Sequence, residues 1–274
     1  MTERRVTIVG LGLIGASLGA ALRHAGWKVR GHDPSESVRD AAVECGHVHT
    51  ATGDRAQALA DAEMVVLAAP VSQIIKLVPL AVREAPHAVI LDVGSVKTPV
   101  VEVMERSEGA GRSIGGHPIA GKEVSGPAAA DKELFFGRPF VLTPHSKTSE
   151  KTLRGASEII EAVGARRIIA GAAEHDRIVA RTSHLPQLVS YALASLLMEG
   201  DETYAGTGLA SMTRLALSQP ALWKDILEAN RTNLREEVTR LQKTLDLFIS
   251  SMDLEAEMIR ARDAARRLRM SATA

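Results

Sequence analysis

The run Gly10-Leu11-Gly12-Leu13-Ile14-Gly15 lies between a β-branched stretch and a helical pattern. Glycines at this spacing suit closing backbone N–H groups around a diphosphate, with a purely structural strand–helix turn and a solvated Asp33 as the plain alternative. Gly10 permits the tight turn, Gly12 lets the backbone approach a pyrophosphate, and Gly15 lets helix and strand pack closely. Leu13 and Ile14 open the helix, whose free N–H groups and positive dipole end favour the phosphates. Asp33 ends the next strand pattern, where a carboxylate accepts from ribose hydroxyls. The same charge repels a 2′-phosphate, and Pro34-Ser35-Glu36-Ser37 holds no arginine to offset it. NAD is therefore expected over NADP, with residues farther along free to alter that preference.

A nicotinamide cofactor takes or gives a hydride, which leaves the protein to orient a substrate and handle a proton. Histidine is the natural proton acceptor, since its charge changes near neutrality. Of the nine histidines, His47, His49 and His145 fall in polar loops. His117 follows the strand pattern Ser113–Gly116 and precedes Pro118, at a strand's C-terminal end, where open α/β sheets bind their ligands. A loop histidine capping backbone groups is the plain alternative. Ser95, in Asp92-Val93-Gly94-Ser95-Val96-Lys97, belongs to the same sheet edge. Its hydroxyl can orient an imidazole or a nicotinamide amide, or can cap the helix that starts near Pro99. Arg214 is flanked by apolar residues and is either buried in an ion pair or turned into a cleft to fork a carboxylate. His184 and Gln187 share one helix face, and Pro186 between them should kink that helix. Such a kink lines a cavity or is a structural bend.

These residues need a scaffold. Val6–Gly10, Lys28–Gly31, Met64–Ala68, Ala88–Val93, Ser113–Gly116, Phe140–Thr143 and Arg167–Ile169 read as strands, with helical patterns such as Gly15–Ala25 and Ser149–Val163 between them. That alternation predicts a mostly parallel sheet with helices on both faces. After about Ala173 the strand signal ends, and Glu174–Met198 and Ala221–Leu268 read as long helices. The predicted layout is an α/β Rossmann-like domain over residues 1–171 and an all-α substrate and dimerisation domain over 172–274. The 274 residues, 45% hydrophobic and 24% charged, provide a real core and exclude a disordered chain. Lys plus Arg equals Asp plus Glu at 33 each, which argues against a nucleic-acid partner. Cys45 is the single cysteine, so an intrachain disulfide and a cysteine-ligated zinc are excluded, and the motifs call for no metal. No apolar run reaches the length of about 18 residues that spans a membrane. The early strand Arg5–Val9 leaves no secretory h-region, and a cytoplasmic location is expected. Arg260, Arg262, Arg266, Arg267 and Arg269 suit a helix C-terminus, with an anionic partner as the alternative.

Taken in order, the glycine loop, Asp92-Val93-Gly94-Ser95-Val96-Lys97, His117-Pro118-Ile119-Ala120-Gly121 with Ser125-Gly126, His175-Asp176, Ser183-His184-Leu185-Pro186, Thr213-Arg214 and Trp223-Lys224-Asp225-Ile226 resemble the prephenate/arogenate dehydrogenase family of tyrosine biosynthesis. The resemblance runs over roughly residues 5 to 250. It implies NAD, with NADP left open, a homodimer, and a site between the two domains for prephenate or arogenate. It also implies that His117 takes the proton of the ring hydroxyl, that Ser95 orients that hydroxyl and the histidine, and that Arg214 binds a substrate carboxylate. His184 would line the site from the kinked helix. Tyrosine is an expected product inhibitor. No ACT-like regulatory domain or fused chorismate mutase segment is expected in this length. Two positions depart from the family pattern: Gln187 stands where a second histidine is common, and Gly208-Leu209-Ala210-Ser211 where Gly-Phe-basic-Asp is common. Gln187 can hydrogen-bond either a keto acid or an amino acid.

Three other readings compete. An enzyme acting on 4-amino-4-deoxyprephenate would use the same machinery. A β-hydroxyacid dehydrogenase would need a catalytic lysine in the helical half, and Lys224 and Lys243 lack such a context. A nucleotide-sensing or scaffolding protein would carry a disabled site, whereas Ser95, His117 and Arg214 are all in place.

Overall fold

The computed structural model describes residues 4–273. Eight strands, β1 (Arg5–Val9), β2 (Lys28–His32), β3 (Thr50–Thr52), β4 (Met64–Leu67), β5 (Val89–Asp92), β6 (Ser113–Pro118), β7 (Pro139–Thr143) and β8 (Arg166–Ile169), form one sheet in the order β3-β2-β1-β4-β5-β6-β7-β8. All pairings are parallel except β6 with β7. The helices α1 (Leu13–His24), α2 (Glu36–Glu44), α3 (Arg55–Leu59), α4 (Val71–Glu84), α5 (Thr98–Arg106) and α6 (Glu150–Ala162) connect them. Six more follow the sheet: α7 (Ala172–Val179), α8 (Leu185–Ser195), α9 (Thr207–Thr213), α10 (Pro220–Ala229), α11 (Arg231–Ser250) and α12 (Leu254–Thr273).

β4 shows why the sheet sits between two layers. Its residues Met64-Val65-Val66-Leu67 are all apolar, so both faces demand cover. Alternate side chains oblige: Met64 and Val66 join the core with Leu18 and Leu22 of α1 and Ile159 of α6, while Val65 and Leu67 join the core with Ile74 and Val78 of α4 and Met104 of α5. Ile226 of α10 belongs to the second core, which fastens the helical half to the sheet. The edge strand β8 ends the sheet with exposed Arg166 and Arg167, a blunt edge for further strand pairing.

The seven strands read from the sequence are present. β3 was not foreseen, because Thr-Ala-Thr is too short for an alternation signal. Two helix readings are corrected. Glu174–Met198 is not one helix: α7 and α8 are joined by a π-helical turn, Ala180–His184, just before Pro186. Proline cannot donate to the carbonyl one turn back and its ring collides with it, and the wider turn relieves both. Ala221–Leu268 is three helices, broken at Asn230 and again at Ser251–Asp253. Asn230 leaves helical geometry at φ −113°, ψ 24°, and its side chain bonds across to α7 and the π turn instead. No helix among the described residues is long and apolar enough to cross a membrane.

Candidate active site

At the C-terminal end of β1 the chain turns on Gly10, whose φ of +95° only glycine adopts freely. Gly10 N donates to His32 O at 2.8 Å, which ties the turn to β2. A Cβ on Gly15 would collide with the Gly10 carbonyl, so the helix start can sit against the turn only with glycine there. Gly12 differs: a Cβ there would meet nothing within 4 Å. Gly12 is also the N-cap of α1, with no side chain capping the first turn and no acidic residue within it. The first-turn N–H groups, at Leu13 and Ile14, thus have no side-chain cap at a positive dipole end, which fits a diphosphate. Asp33 is fixed nearby, its Oδ2 accepting from Leu11 N and its Oδ1 from Ser35 N, both at 3.0 Å. A carboxylate retains further acceptor capacity beyond those two bonds, enough for ribose hydroxyls. Arg39 was not singled out in the sequence; its Nη1 donates to Asp33 O at 2.9 Å and Pro34 O at 3.0 Å, bracing this loop.

His117 lies at the same edge three strands from β1, on β6, half-buried. Its orienting partner is neither backbone nor Ser95. Nδ1 stands 2.9 Å from His175 Nε2, with the two rings edge to face at 5.1 Å. His175 Nδ1 in turn bonds Asp176 Oδ1 at 2.8 Å. Asp176 Oδ1 also accepts from Lys97 N at 2.8 Å, and Oδ2 from Thr98 N at 2.7 Å. The carboxylate on α7 thus caps the start of α5, and Ser95 is not the cap. Ser95 itself is half-buried in the loop between Asp92 and Lys97. Burial pushes the Asp176 carboxyl up, but the hydrogen bonds from His175, Thr98 and Lys97 outweigh it and leave the group below its ordinary range. His117 is held well below the usual imidazole value by burial, then by His175, Lys97 and His184. It is neutral at pH 7 and able to accept a proton.

A second buried element supports the same edge. Lys97 and Asp92 form an ion pair with both side chains 0% exposed. Asp92 Oδ1 accepts from Gly94 N at 2.9 Å, and Oδ2 from Gly116 N at 3.3 Å, next to His117. Burial lifts the Asp92 carboxyl and lowers the Lys97 ammonium, each effect opposed by the partner's charge.

The helical half supplies the opposite wall. His184, in the π turn, is 1% exposed; Asn230 Nδ2 lies 3.1 Å from its Nδ1 and also donates to Asp176 O at 2.8 Å. Burial drives the His184 imidazole down to about 4, Asp176 opposing and His175 assisting. Trp223 stands edge-on to it at 6.2 Å. Gln187 is 1% exposed, and its Nε2 donates to Leu215 O at 2.7 Å. His184 Nε2 and Gln187 Oε1 are buried without a hydrogen-bond partner among the described residues, a condition that calls for a ligand or water. Arg214 is neither buried nor free: 56% exposed, it pairs with Glu123 of the loop after β6. Gln219 Nε2 bonds Ser125 Oγ of that loop at 2.9 Å, so the loop spans from sheet to helices. His47, His49 and His145 serve the scaffold, bonding Pro127 O, Val29 N and Ser113 Oγ.

The arrangement is a dinucleotide loop and a neutral histidine on one sheet edge, faced by helices carrying unpaired polar atoms. Two family models match in tandem: prephenate dehydrogenase, nucleotide-binding domain, over residues 18–169, and prephenate dehydrogenase, dimerization domain, over residues 171–269. The chain belongs to the prephenate dehydrogenase family. It is 31% identical to the cyclohexadienyl dehydrogenase of Zymomonas mobilis over 91% of this chain and 86% of that one. With the prephenate dehydrogenase of Bacillus subtilis it shares 29% identity over 91% of this chain and 70% of the relative. A crystal structure of prephenate dehydrogenase from A. aeolicus, in complex with hydroxyphenyl propionate and NAD+, superposes with a TM-score of 0.88 at 29% identity, covering 99% of each chain. The arogenate dehydrogenase of Synechocystis superposes at 0.79, also 29% identical, over 96% of this chain and 99% of that one. The fold is accordingly a Rossmann-like domain followed by the family's helical dimerisation domain. Members of this family, this chain included, are NAD-dependent oxidoreductases that carry out an oxidative decarboxylation in tyrosine biosynthesis.

Proposed function

We propose that this enzyme oxidises and decarboxylates a cyclohexadiene bearing a ring hydroxyl and a ring carboxylate, with His117 as the base. The observation that carries the reading is a half-buried imidazole at a strand end, on the same sheet edge as the dinucleotide loop and held below its ordinary value by burial. NAD held at the glycine loop would supply the acceptor for the hydride of the hydroxyl-bearing carbon. His117 Nε2 removes the hydroxyl proton as that hydride leaves. The bond to the ring carboxylate then breaks, carbon dioxide departs, and the ring becomes aromatic, which makes the step effectively irreversible. Gly10, Gly12, Leu13, Ile14 and Gly15 hold the diphosphate, and Asp33 holds the ribose. Arg214 anchors a substrate carboxylate, exchanging Glu123 for it, and His184 lines the cleft. Ser95 meets the substrate hydroxyl or the nicotinamide amide. Residues 1–171 bind the dinucleotide, and residues 172–274 complete the site and form the homodimer. Tyrosine, which is the product from arogenate and shares the phenol ring of the product from prephenate, competes for the same cleft.

Gln187 favours arogenate over prephenate. Its Nε2 directs one N–H to Leu215 O, and the buried atom left without a partner among the described residues is the acceptor Oε1. An acceptor matches the ammonium of arogenate and opposes the keto acid of prephenate. Initial rates with both substrates crossed against NAD and NADP test this reading. Arogenate with NAD should give the highest kcat/KM, and Gln187→His should narrow the gap. A wild type at least as efficient on prephenate would reject the assignment of Gln187.

A further inference from the structure

A base at His117 is useful only if Nε2 carries a bare lone pair, and two further residues decide that. We propose that His175 and Asp176 are positioning residues that lock the His117 proton on Nδ1 and leave Nε2 free for the substrate hydroxyl. The inference deepens the function proposed above and rests on it.

The chain of hydrogen bonds starts at Asp176. Both of its oxygens accept backbone N–H groups, from Lys97 and Thr98, and the group is ionised. An ionised carboxylate only accepts, so His175 Nδ1, at 2.8 Å from Oδ1, must carry hydrogen. With that single N–H on the ring, His175 Nε2 is an acceptor. The atom 2.9 Å from it is His117 Nδ1, which must therefore donate. A neutral His117 then has no hydrogen on Nε2. Hydrogen on His175 Nε2 would reverse this, turning His117 Nδ1 into the acceptor and blocking the base.

The lock is also built to hold still. His175 and Asp176 are 2% and 1% exposed. The break between α10 and α11 places Asn230 Nδ2 on the Asp176 carbonyl. Sequence order puts His175 and Asp176 side by side on α7, yet one faces β6 and the other caps α5. In turnover, the hydroxyl O–H bond breaks, an N–H bond forms at His117 Nε2, and the hydride goes to the nicotinamide. The resulting imidazolium donates through Nδ1 to His175, whose own N–H rests on the Asp176 charge. A serine protease triad uses the same principle with one imidazole, and amide replacement of its carboxylate costs about 10⁴-fold in kcat through the wrong tautomer.

The test combines ¹⁵N NMR of histidine-labelled enzyme with steady-state kinetics on arogenate and prephenate. His117 signals are assigned by their loss in His117→Asn. The wild type at pH 7.5 should show His117 Nδ1 protonated and Nε2 of pyridine type. Asp176→Asn places a donor beside His175 and should move the His117 proton to Nε2. His175→Leu should lower kcat about 10²- to 10⁴-fold, with KM for NAD and substrate changed by no more than about threefold. His175→Gln, whose Oε1 can accept from His117 Nδ1, should recover most of that loss. A wild-type His117 protonated on Nε2, or His175→Leu turning over at the wild-type rate, would overturn the lock. A wild type with the expected tautomer but inert toward both substrates would instead refute the proposed function and leave the tautomer assignment standing.

Discussion

Replacing Lys97 with Met isolates the buried ion pair beneath the site. Lys97→Met keeps the length and apolar stem but removes the ammonium, leaving the Asp92 carboxylate with 0% exposure and two backbone N–H donors. Breaking a buried pair on one side costs about 3–5 kcal/mol, because the remaining charge has no counterion. The cost depends on pH. Burial already lifts Asp92 above its ordinary value, and loss of Lys97 lifts it further. A carboxyl whose folded pKa exceeds its unfolded value contributes stability below the unfolded pKa and loses it as pH rises through the folded one. The deficit of the variant should therefore grow from pH 5 to pH 8 in urea unfolding. Adding Asp92→Asn removes the stranded charge and should recover about 1–3 kcal/mol at pH 8. A deficit below about 1 kcal/mol, or one that does not change with pH, would refute this account of the pair.

Other consequences are accessible to ordinary assays. Asp33→Ser removes the charge that repels a 2′-phosphate, so the ratio of kcat/KM for NADP over NAD should rise by about ten- to a hundredfold; an unchanged ratio would place selectivity elsewhere. Arg214→Ala should raise the substrate KM by about ten- to a hundredfold through the lost charge-assisted contact, with kcat little altered. An unaltered KM would leave Arg214 as a tether for Glu123 alone. His184, at about 4 in the folded protein, binds fewer protons than it does unfolded, so its share of stability is complete above about pH 6.5 and fades as pH falls toward 4. That share is about 3 kcal/mol, and urea unfolding of His184→Phe should show a shallower loss between those limits than the wild type.

Much of the scaffold was legible because its signals are local. The apolar runs of β4 and β5 announce strands covered on both sides, and the glycine loop announces its turn by residue type alone. His117 stood out by its place after a strand. What stayed hidden depends on distant partners. His175-Asp176 is visible in the sequence as a family segment, but its role is not; only the approach of α7 to β6 and α5 gives the two side chains their partners. Lys97 appears in the sequence only as the end of the Asp92–Lys97 segment, and its buried pairing with Asp92 is set by the fold. Asn230 lies inside a helical pattern, and its break is decided by bonds to Asp176 and His184 rather than by propensity. Arg214 was placed by its apolar neighbours either in a buried pair or in a cleft, but it sits exposed against Glu123, which lies far away in the sequence.

The most direct test of the central claim is turnover by His117→Asn measured beside binding of NAD to the same variant. The account predicts a fall in kcat of about 10²- to 10⁴-fold, with NAD affinity unchanged. A variant that still decarboxylates its substrate at the wild-type rate would contradict it.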